Sequence, residues 1–538
     1  MIRAALLLLA TTLAAFPQSR PRDLCAPPPG LVAPPLPAKI LTGQGNVHFP
    51  ITTSNPEAQK FFDQGVAQMH SFWAREAERS FLQAAELDPA APMPHWGIAM
   101  VAAGDYRPRF QLDRRDIRSS RAPQTTESRA VKAARKATEL SQAPGKATGL
   151  EKLYIASIAA RRNPNEKQPD DAYVTALREL IRQHPREIEA RSYLALAIMR
   201  GFVLPEKKPR RGSMEAVEVL RDLMKEAPDH PGVHHYVIHG WEGSSFAKEA
   251  WPSSARYAEL VSNIPHALHR PGHIYSQTGK WEEAIRAFEA AAENERGYMK
   301  ADVFYGNGHH GHNVHYLVSS YSFQGRTDEA IGGARELLGE PENPRQAATP
   351  DAPFSAYRQG WFAMMRTLVQ GERWGQILDG STLPVLDFPR QKAWRHWAAG
   401  VAHAAKGNAE AAEAERRSME GALDEFVSKT KQDKPEELLV AQAELDGHIA
   451  VARGNRKAGF KALERAGREE RRLVYSEPPH YPRPVYEALG RAAVKHGDLR
   501  LAERAFRNAL EQYPASHLSE IGLRALHEPQ GKPTPAGF

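Results

Sequence analysis

The feature that most constrains this fold is a period of about 34 residues, marked by small residues, one aromatic residue and a proline. With position 1 at Ala58, residues Gly65, Ala77, Phe81, Ala84 and Pro89 fall at positions 8, 20, 24, 27 and 32. With position 1 at Pro265, residues Gly272, Ala284, Phe288 and Ala291 take positions 8, 20, 24 and 27. With position 1 at Arg483, residues Gly490, Ala502, Phe506, Ala509 and Pro514 repeat the full set. Small residues at 8, 20 and 27 let two antiparallel helices approach closely, and a proline ends the second. Weaker copies are framed around Gly325, Gly371, Gly407 and Gly454, each at a turn between paired helices, and another lies near Ala216, Leu220 and Pro228. No Val/Ile/Thr alternation between turn signals competes with this pattern. The spacing predicts an all-α, right-handed superhelical solenoid of antiparallel helix pairs.

This pattern resembles the tetratricopeptide repeat. The resemblance implies that positions 2, 5, 9 and 12 of each first helix line a concave groove. Histidines concentrate on those positions. One period upstream of Pro265 is Pro231, which places His235, His239 and Glu242 at 5, 9 and 12. In the next repeat His266, His269 and His273 take 2, 5 and 9, with Tyr275 at 11. In the third, starting at Gly311, His312, His315 and Ser319 take 2, 5 and 9. Neighbouring first helices pack about 8–10 Å apart, so these residues would form one patch.

Three readings of the patch compete. Imidazoles are the commonest side-chain ligands for zinc, copper and iron, and i,i+4 pairs on a helix can hold one ion together. His235, His239, Glu242, His269, His273, His312 and His315 would then serve one or two divalent transition-metal ions. Alternatively the groove takes a peptide, protein or small-molecule ligand, with His266, Tyr275 and Ser319 among its walls. Third, the histidines are buried and structural. Cys25 is the sole cysteine, which excludes both an intrachain disulfide and a thiolate site in the repeats.

The ends and the frame breaks complete the organisation. Residues 1–15 read as a secretory signal peptide, with one arginine, a short apolar run and small residues, cleaved after Ala14 or Ala15. Residues 16–44 read as a proline-rich linker, 45–111 as N-terminal repeats and 112–228 as an irregular helical insertion region. The histidine-rich repeats span 229–344, further repeats 345–525, and a disordered tail 526–538. Within these, Phe202–Gly212 reads as a loop interrupting one repeat, and Arg345–Pro353 as a linker. Arg22-Asp23-Leu24 is a poor lipoprotein context for Cys25, so no membrane anchor is expected. The chain reads as exported, periplasmic or extracellular. A net charge of +7 from 71 basic and 64 acidic residues does not suggest nucleic-acid binding. The basic run Arg107–Arg121 reads as a solvated loop.

The motifs also resemble, in order, those of a group of exported bacterial tetratricopeptide-repeat proteins: F-x-x-G, W-G-I-A, H-Y-x-I-H-x-x-E, H-x-P-x-H-I-Y, H-N-x-H-[FY]-L and Y-x-E-P-P. Here they are Phe62–Gly65, Trp96–Ala99, His235–Glu242, His269–Tyr275, His312–Leu317 and Tyr475–Pro479. The resemblance supplies no substrate. The rigid segment after Tyr475 could fold over the groove and present Glu477 to the histidines, or could simply join two repeats. No phosphate-binding loop, dinucleotide fingerprint or nucleophile elbow is present. An enzyme built here would be metal-dependent, hydrolytic or oxidative, with Glu242 or Glu477 as base. The alternative is a non-catalytic interaction scaffold or metal carrier.

Overall fold

A computed structural model describes residues 38–103, 128–203, 205–302, 308–341, 355–384, 386–473 and 476–527. The signal-peptide stretch, the Arg107–Arg121 run, the Arg345–Pro353 linker and most of the tail lie outside them. The architecture is an all-α solenoid of successive helix pairs. The first pair is α1 (Pro56–His70) and α2 (Ala74–Leu87). Then come α3 (Met93–Val101), α4 (Arg129–Ser141), α5 (Gly149–Arg162), α6 (Pro169–Gln183), α7 (Ile188–Ile198) and α8 (Ser213–Glu226). The histidine-rich pairs are α9 (Pro231–Trp241) with α10 (Trp251–Leu260), α11 (Pro265–Gln277) with α12 (Trp281–Ala301), and α13 (Gly308–Phe323) with α14 (Thr327–Gly339). The array continues through α15 (Ala356–Gln370), α16 (Trp374–Leu378), α17 (Pro389–Ala405), α18 (Ala409–Thr430), α19 (Glu436–Ala452) and α20 (Arg456–Glu470). It ends with α21 (Val485–Lys495), α22 (Leu499–Gln512) and α23 (His517–His527).

Local sequence explains where helices begin. Pro56, Pro231, Pro265 and Pro389 stand in first turns, where the missing N–H has no partner to lose. Thr148 and Glu151 form a reciprocal capping box at α5. Within the region expected to be irregular, the described residues 128–203 and 205–228 form helices α4–α8, and the Phe202–Gly212 loop contains a two-stranded antiparallel ribbon, Phe202 opposite Pro209.

The repeat frame is visible as contacts. A Cβ added to Gly65, Gly272 or Gly490 would lie 2.5 Å from the ring of Phe81, Phe288 or Phe506 respectively. Position 8 thus has to be glycine because the position 24 aromatic occupies the space of its side chain. Gly272→Val is therefore expected to lower stability by about 1–3 kcal/mol through overpacking, measured by chemical denaturation. The turn between the two helices falls at position 15, where Gly279, Gly325 and Gly497 have φ of +82°, +70° and +79°. One weak copy is out of register by a residue. At Gly371 the positive φ belongs to Glu372, at +52°, and Arg373 N–H closes the turn on the Leu368 carbonyl.

The solenoid closes on itself. Trp281 Nε1 donates to the Pro514 carbonyl at 2.8 Å, and Phe323 packs on Tyr513 with centroids 4.8 Å apart. The last repeat therefore docks on the turns of the histidine-rich repeats. At the other end, Gln44 Nε2 donates to the Asn263 carbonyl at 2.6 Å and Leu41 N–H to Gln64 at 2.7 Å. The end of the proline-rich linker is thus part of the fold, and the concave wall becomes an interior.

Candidate metal centre

The pair at positions 5 and 9 of one repeat meets position 2 of the next. His235 and His239 of α9 converge with His266 of α11, and His269 and His273 of α11 converge with His312 of α13. All six are buried, from 0 to 7% exposed, so water is not the competitor for their nitrogens. The same rule places His315 elsewhere. Its Nδ1 lies 2.6 Å from Oε1 of Gln359, the position 2 residue of the following, shifted repeat, and it joins neither triad. Ser319 is buried on the groove wall and accepts from Arg366 at 2.8 Å. Tyr275 turns away from the groove and lies half-buried near Glu283 and Arg286 of α12.

The two triads differ in what holds their outer nitrogens. In the first, Arg270 Nη2 lies 2.9 Å from His239 Nδ1, and a guanidinium can only donate. His239 Nδ1 is therefore the acceptor and Nε2 carries the proton, which points at His235 Nε2 3.1 Å away. His235 Nδ1 in turn donates to the His70 carbonyl at 2.6 Å. This chain of hydrogen bonds needs no ion.

The second triad is different. Asn313 Nδ2 donates to the Phe288 carbonyl at 2.9 Å, which turns its Oδ1 toward His269 Nδ1 at 2.6 Å. His273 Nδ1 bonds Glu242 Oε1 at 3.0 Å and lies 2.8 Å from Glu477 Oε1. The Asn313 oxygen accepts, so His269 Nδ1 carries a proton and its Nε2 a lone pair; His273 Nδ1 meets the two carboxylates and also the donor Arg270 Nη1 at 2.9 Å. The Nε2 lone pair of His269 faces His273 Nε2 at 2.6 Å and His312 Nε2 at 3.2 Å. An imidazole whose outer N–H is held by an amide oxygen, as in His269, is an arrangement found around metal ligands.

A third set, Glu242, His273 and Glu477, also has ligand-like spacing. Here Arg270 already supplies the positive charge. It bonds Glu242 closely, lies 3.1 Å from Glu477 and 2.9 Å from His273 Nδ1. Burial pushes Glu242 up to about 7, against the pull of Arg270 and with the push of the neighbouring carboxylate. For Glu477 burial is outweighed by Arg270 and His273, which hold it well below the usual carboxylate range. A fourth set, His70, Glu189 and His230, is internally satisfied. Glu189 accepts from both imidazoles, at 2.7 and 2.9 Å, and Tyr236 bonds His70 Nδ1 at 2.9 Å. It is a staple between α1, α7 and α9 that also orients the carbonyl held by His235.

Glu477 reaches the histidines because the segment carrying it does fold over the groove. Arg366 Nη2 donates to the Pro479 carbonyl at 2.5 Å, Tyr481 donates to Glu444 at 2.5 Å and Arg483 to Glu444 at 3.1 Å. Burial disfavours the Glu444 charge, yet Arg483 and His448 prevail and lower it to about 2. Its folded value lies below its ordinary 4.5. This anchor therefore contributes fully above about pH 4.5 and is lost as pH falls toward 2. Glu444→Ala is expected to cost about 3–5 kcal/mol at pH 7, since it strands the buried Arg483, and to flatten the acid limb of the stability curve in urea denaturation.

Two contributors carry no periodic signal. Arg270 stands at position 6, off the groove register, and Phe72 fills the position 15 turn that is glycine in other repeats. Phe72 has φ +54°, and its ring packs on His235 at 4.4 Å and His239 at 5.2 Å. A bulky residue held in that region marks a constrained part of the site.

Residues 265–298, the α11–α12 repeat, match the tetratricopeptide repeat family. Together with the helix-pair architecture, this supports placing the chain among tetratricopeptide-repeat proteins. No curated protein matches the chain. Among solved structures it is similar to the Cut9–Hcn1 hetero-tetramer of APC/C, at 12% identity over 88% of this chain and 90% of that one, with a TM-score of 0.28. It is also similar to the tetratricopeptide domain of P58(IPK), at 12% identity over 87% and 97%, TM-score 0.23. A third is the human IFIT1 dimer with m7Gppp-AAAA, at 12% identity over 78% and 91%, TM-score 0.30.

Proposed function

We propose that this protein is a metal-binding solenoid that holds one divalent transition-metal ion between His269, His273 and His312. The observation that carries the reading is the convergence of three buried imidazoles on His269 Nε2, 2.6 Å from that of His273 and 3.2 Å from that of His312, with the His269 proton held on Nδ1 by Asn313. Nitrogen donors that converge this closely can share one cation. His269 and His312 are poor sites for a proton. Burial, then the neighbouring imidazoles, hold His269 well below its ordinary value, and the same causes bring His312 down to about 3. Neutral, buried imidazoles are the protonation state a metal requires.

Three nitrogen donors without thiolate or ionised carboxylate suit zinc, copper or iron. When bound, an ion with three protein ligands supplies an electrophilic centre with a position left for another ligand. Asn313 and the Glu242–Glu477 pair fix the donor rings, and that pair can also hold a proton beside His273. The peptide-groove reading is disfavoured because the groove histidines are already covered. An interaction role on other faces of the repeats, as is typical of this class, is compatible with the site. The leader-like residues 1–15 support export, and the motif order supports kinship with the exported bacterial proteins.

The test is elemental analysis of protein purified without an affinity tag. About one zinc, copper or iron per chain is expected, and His312→Ala should lose it. Metal below a tenth of an equivalent after incubation with each ion would overturn the reading.

A further inference from the structure

A cavity of about 300 Å³ adjoins the histidine centre and has no part in the metal reading. It lies where the last repeat, the Phe202–Gly212 loop and the segment carrying Glu477 meet. Tyr316 separates it from the centre: it lines the cavity on one side, and its ring lies 4.9 Å from His273 on the other.

The chemistry of the walls is specific. Trp281 and Phe323 are stacked at 4.7 Å with an interplanar angle of 16°, and Phe323 continues onto Tyr513 at 4.8 Å. This gives one continuous aromatic wall. On the loop side stands Lys207, half-buried, with φ +53°, a conformation that a lysine adopts at a cost. Among the described residues its ammonium has no hydrogen bond and no carboxylate partner. Arg471, also on the wall, bonds Glu511 at 3.1 Å, while its buried Nε meets no acceptor among the described residues. The buried carboxyl in the wall, Glu470, is pushed up to about 8 by burial and then by Glu444, so near pH 7 it adds no negative charge. The cavity thus offers an aromatic wall and an uncompensated cation.

We propose that this cavity binds a small aromatic carboxylate, with the ring against the Trp281–Phe323–Tyr513 wall and Lys207 as counter-ion. A desolvated ammonium without a partner gains most from an anion, and a flat ring gains most from a stacked wall. The loop that breaks the repeat frame is then the element that completes the pocket. Binding does not require the metal.

The probe is 2-naphthoate, compared with the neutral 2-naphthamide, by isothermal titration of chelator-treated full-length protein. The carboxylate should bind at least tenfold more tightly. Lys207→Met should abolish the preference by weakening the acid and not the amide, with an unchanged melting temperature as the check on folding. Trp281→Ala should weaken both. Equal affinity for the two probes, a preference retained in Lys207→Met, or no binding of the acid up to millimolar concentration would each overturn the proposal. Metal binding and probe binding are read separately, so failure of one is distinguishable from failure of the other.

Discussion

His269→Ala should lower the affinity for a divalent ion by more than about 100-fold, because loss of even an outer partner of a metal ligand costs about 10–100-fold. His269 is the residue to remove because it is central to the triad. Its Nε2 lies 2.6 Å from that of His273 and 3.2 Å from that of His312. Asn313→Leu supplies the graded comparison. It keeps all three imidazoles but frees His269 Nδ1 from its amide acceptor, so a loss of about 10–100-fold is expected. His235→Ala should leave affinity within a few-fold of the parent, because its nitrogens are already engaged by the His70 carbonyl and His239. Competition against a chromophoric chelator measures all three. Equal losses in His235→Ala and His269→Ala would contradict the assignment of the ion to His269, His273 and His312.

Arg270→Met should destabilise the protein by about 3–5 kcal/mol at pH 8, the cost of breaking a buried ion pair from one side. Arg270 is 3% exposed and its guanidinium serves Glu242 and Glu477 together, so its loss strands two carboxylates. The effect should be smaller at pH 5. Glu242 is already pushed up to about 7 with Arg270 present, and the folded state favours its protonated form further when that pull is removed. A protonated Glu242 carries no charge in need of a partner, so the penalty grows as pH rises. Glu242→Gln in the Arg270→Met background should restore a substantial part of the stability at pH 8. Equilibrium denaturation at the two pH values checks both the size and the sign.

Much of this site was legible from the period alone. Once Gly272 and Phe288 define the frame, His235, His239, His269 and His273 fall on groove positions, and the structure brings them there. The rule that joins them, positions 5 and 9 with position 2 of the next repeat, is a matter of three-dimensional stagger. It assigns His266 and His312 to triads and His315 to Gln359, a distinction no spacing along one helix contains. Glu477 was legible as a candidate because its prolines forbid a helix interior, but its arrival at His273 depends on Glu444 and Arg366, on distant repeats. Arg270, His70 and Glu189 were not legible. A buried arginine looks in sequence like a surface one, and the His70–Glu189 contact spans 119 residues. Solenoid periodicity describes neighbours; closure of the ends, which buries the groove, arises from contacts such as Trp281 with Pro514 that no repeat encodes.

The most direct test of the central claim is X-ray absorption at the metal edge of the loaded, untagged protein. The account predicts a first shell with three imidazole nitrogens at about 2.0–2.1 Å for zinc, reduced to two in His312→Ala if an ion is retained. A shell of carboxylate oxygens alone, or a three-imidazole shell that persists unchanged in His312→Ala, would contradict it.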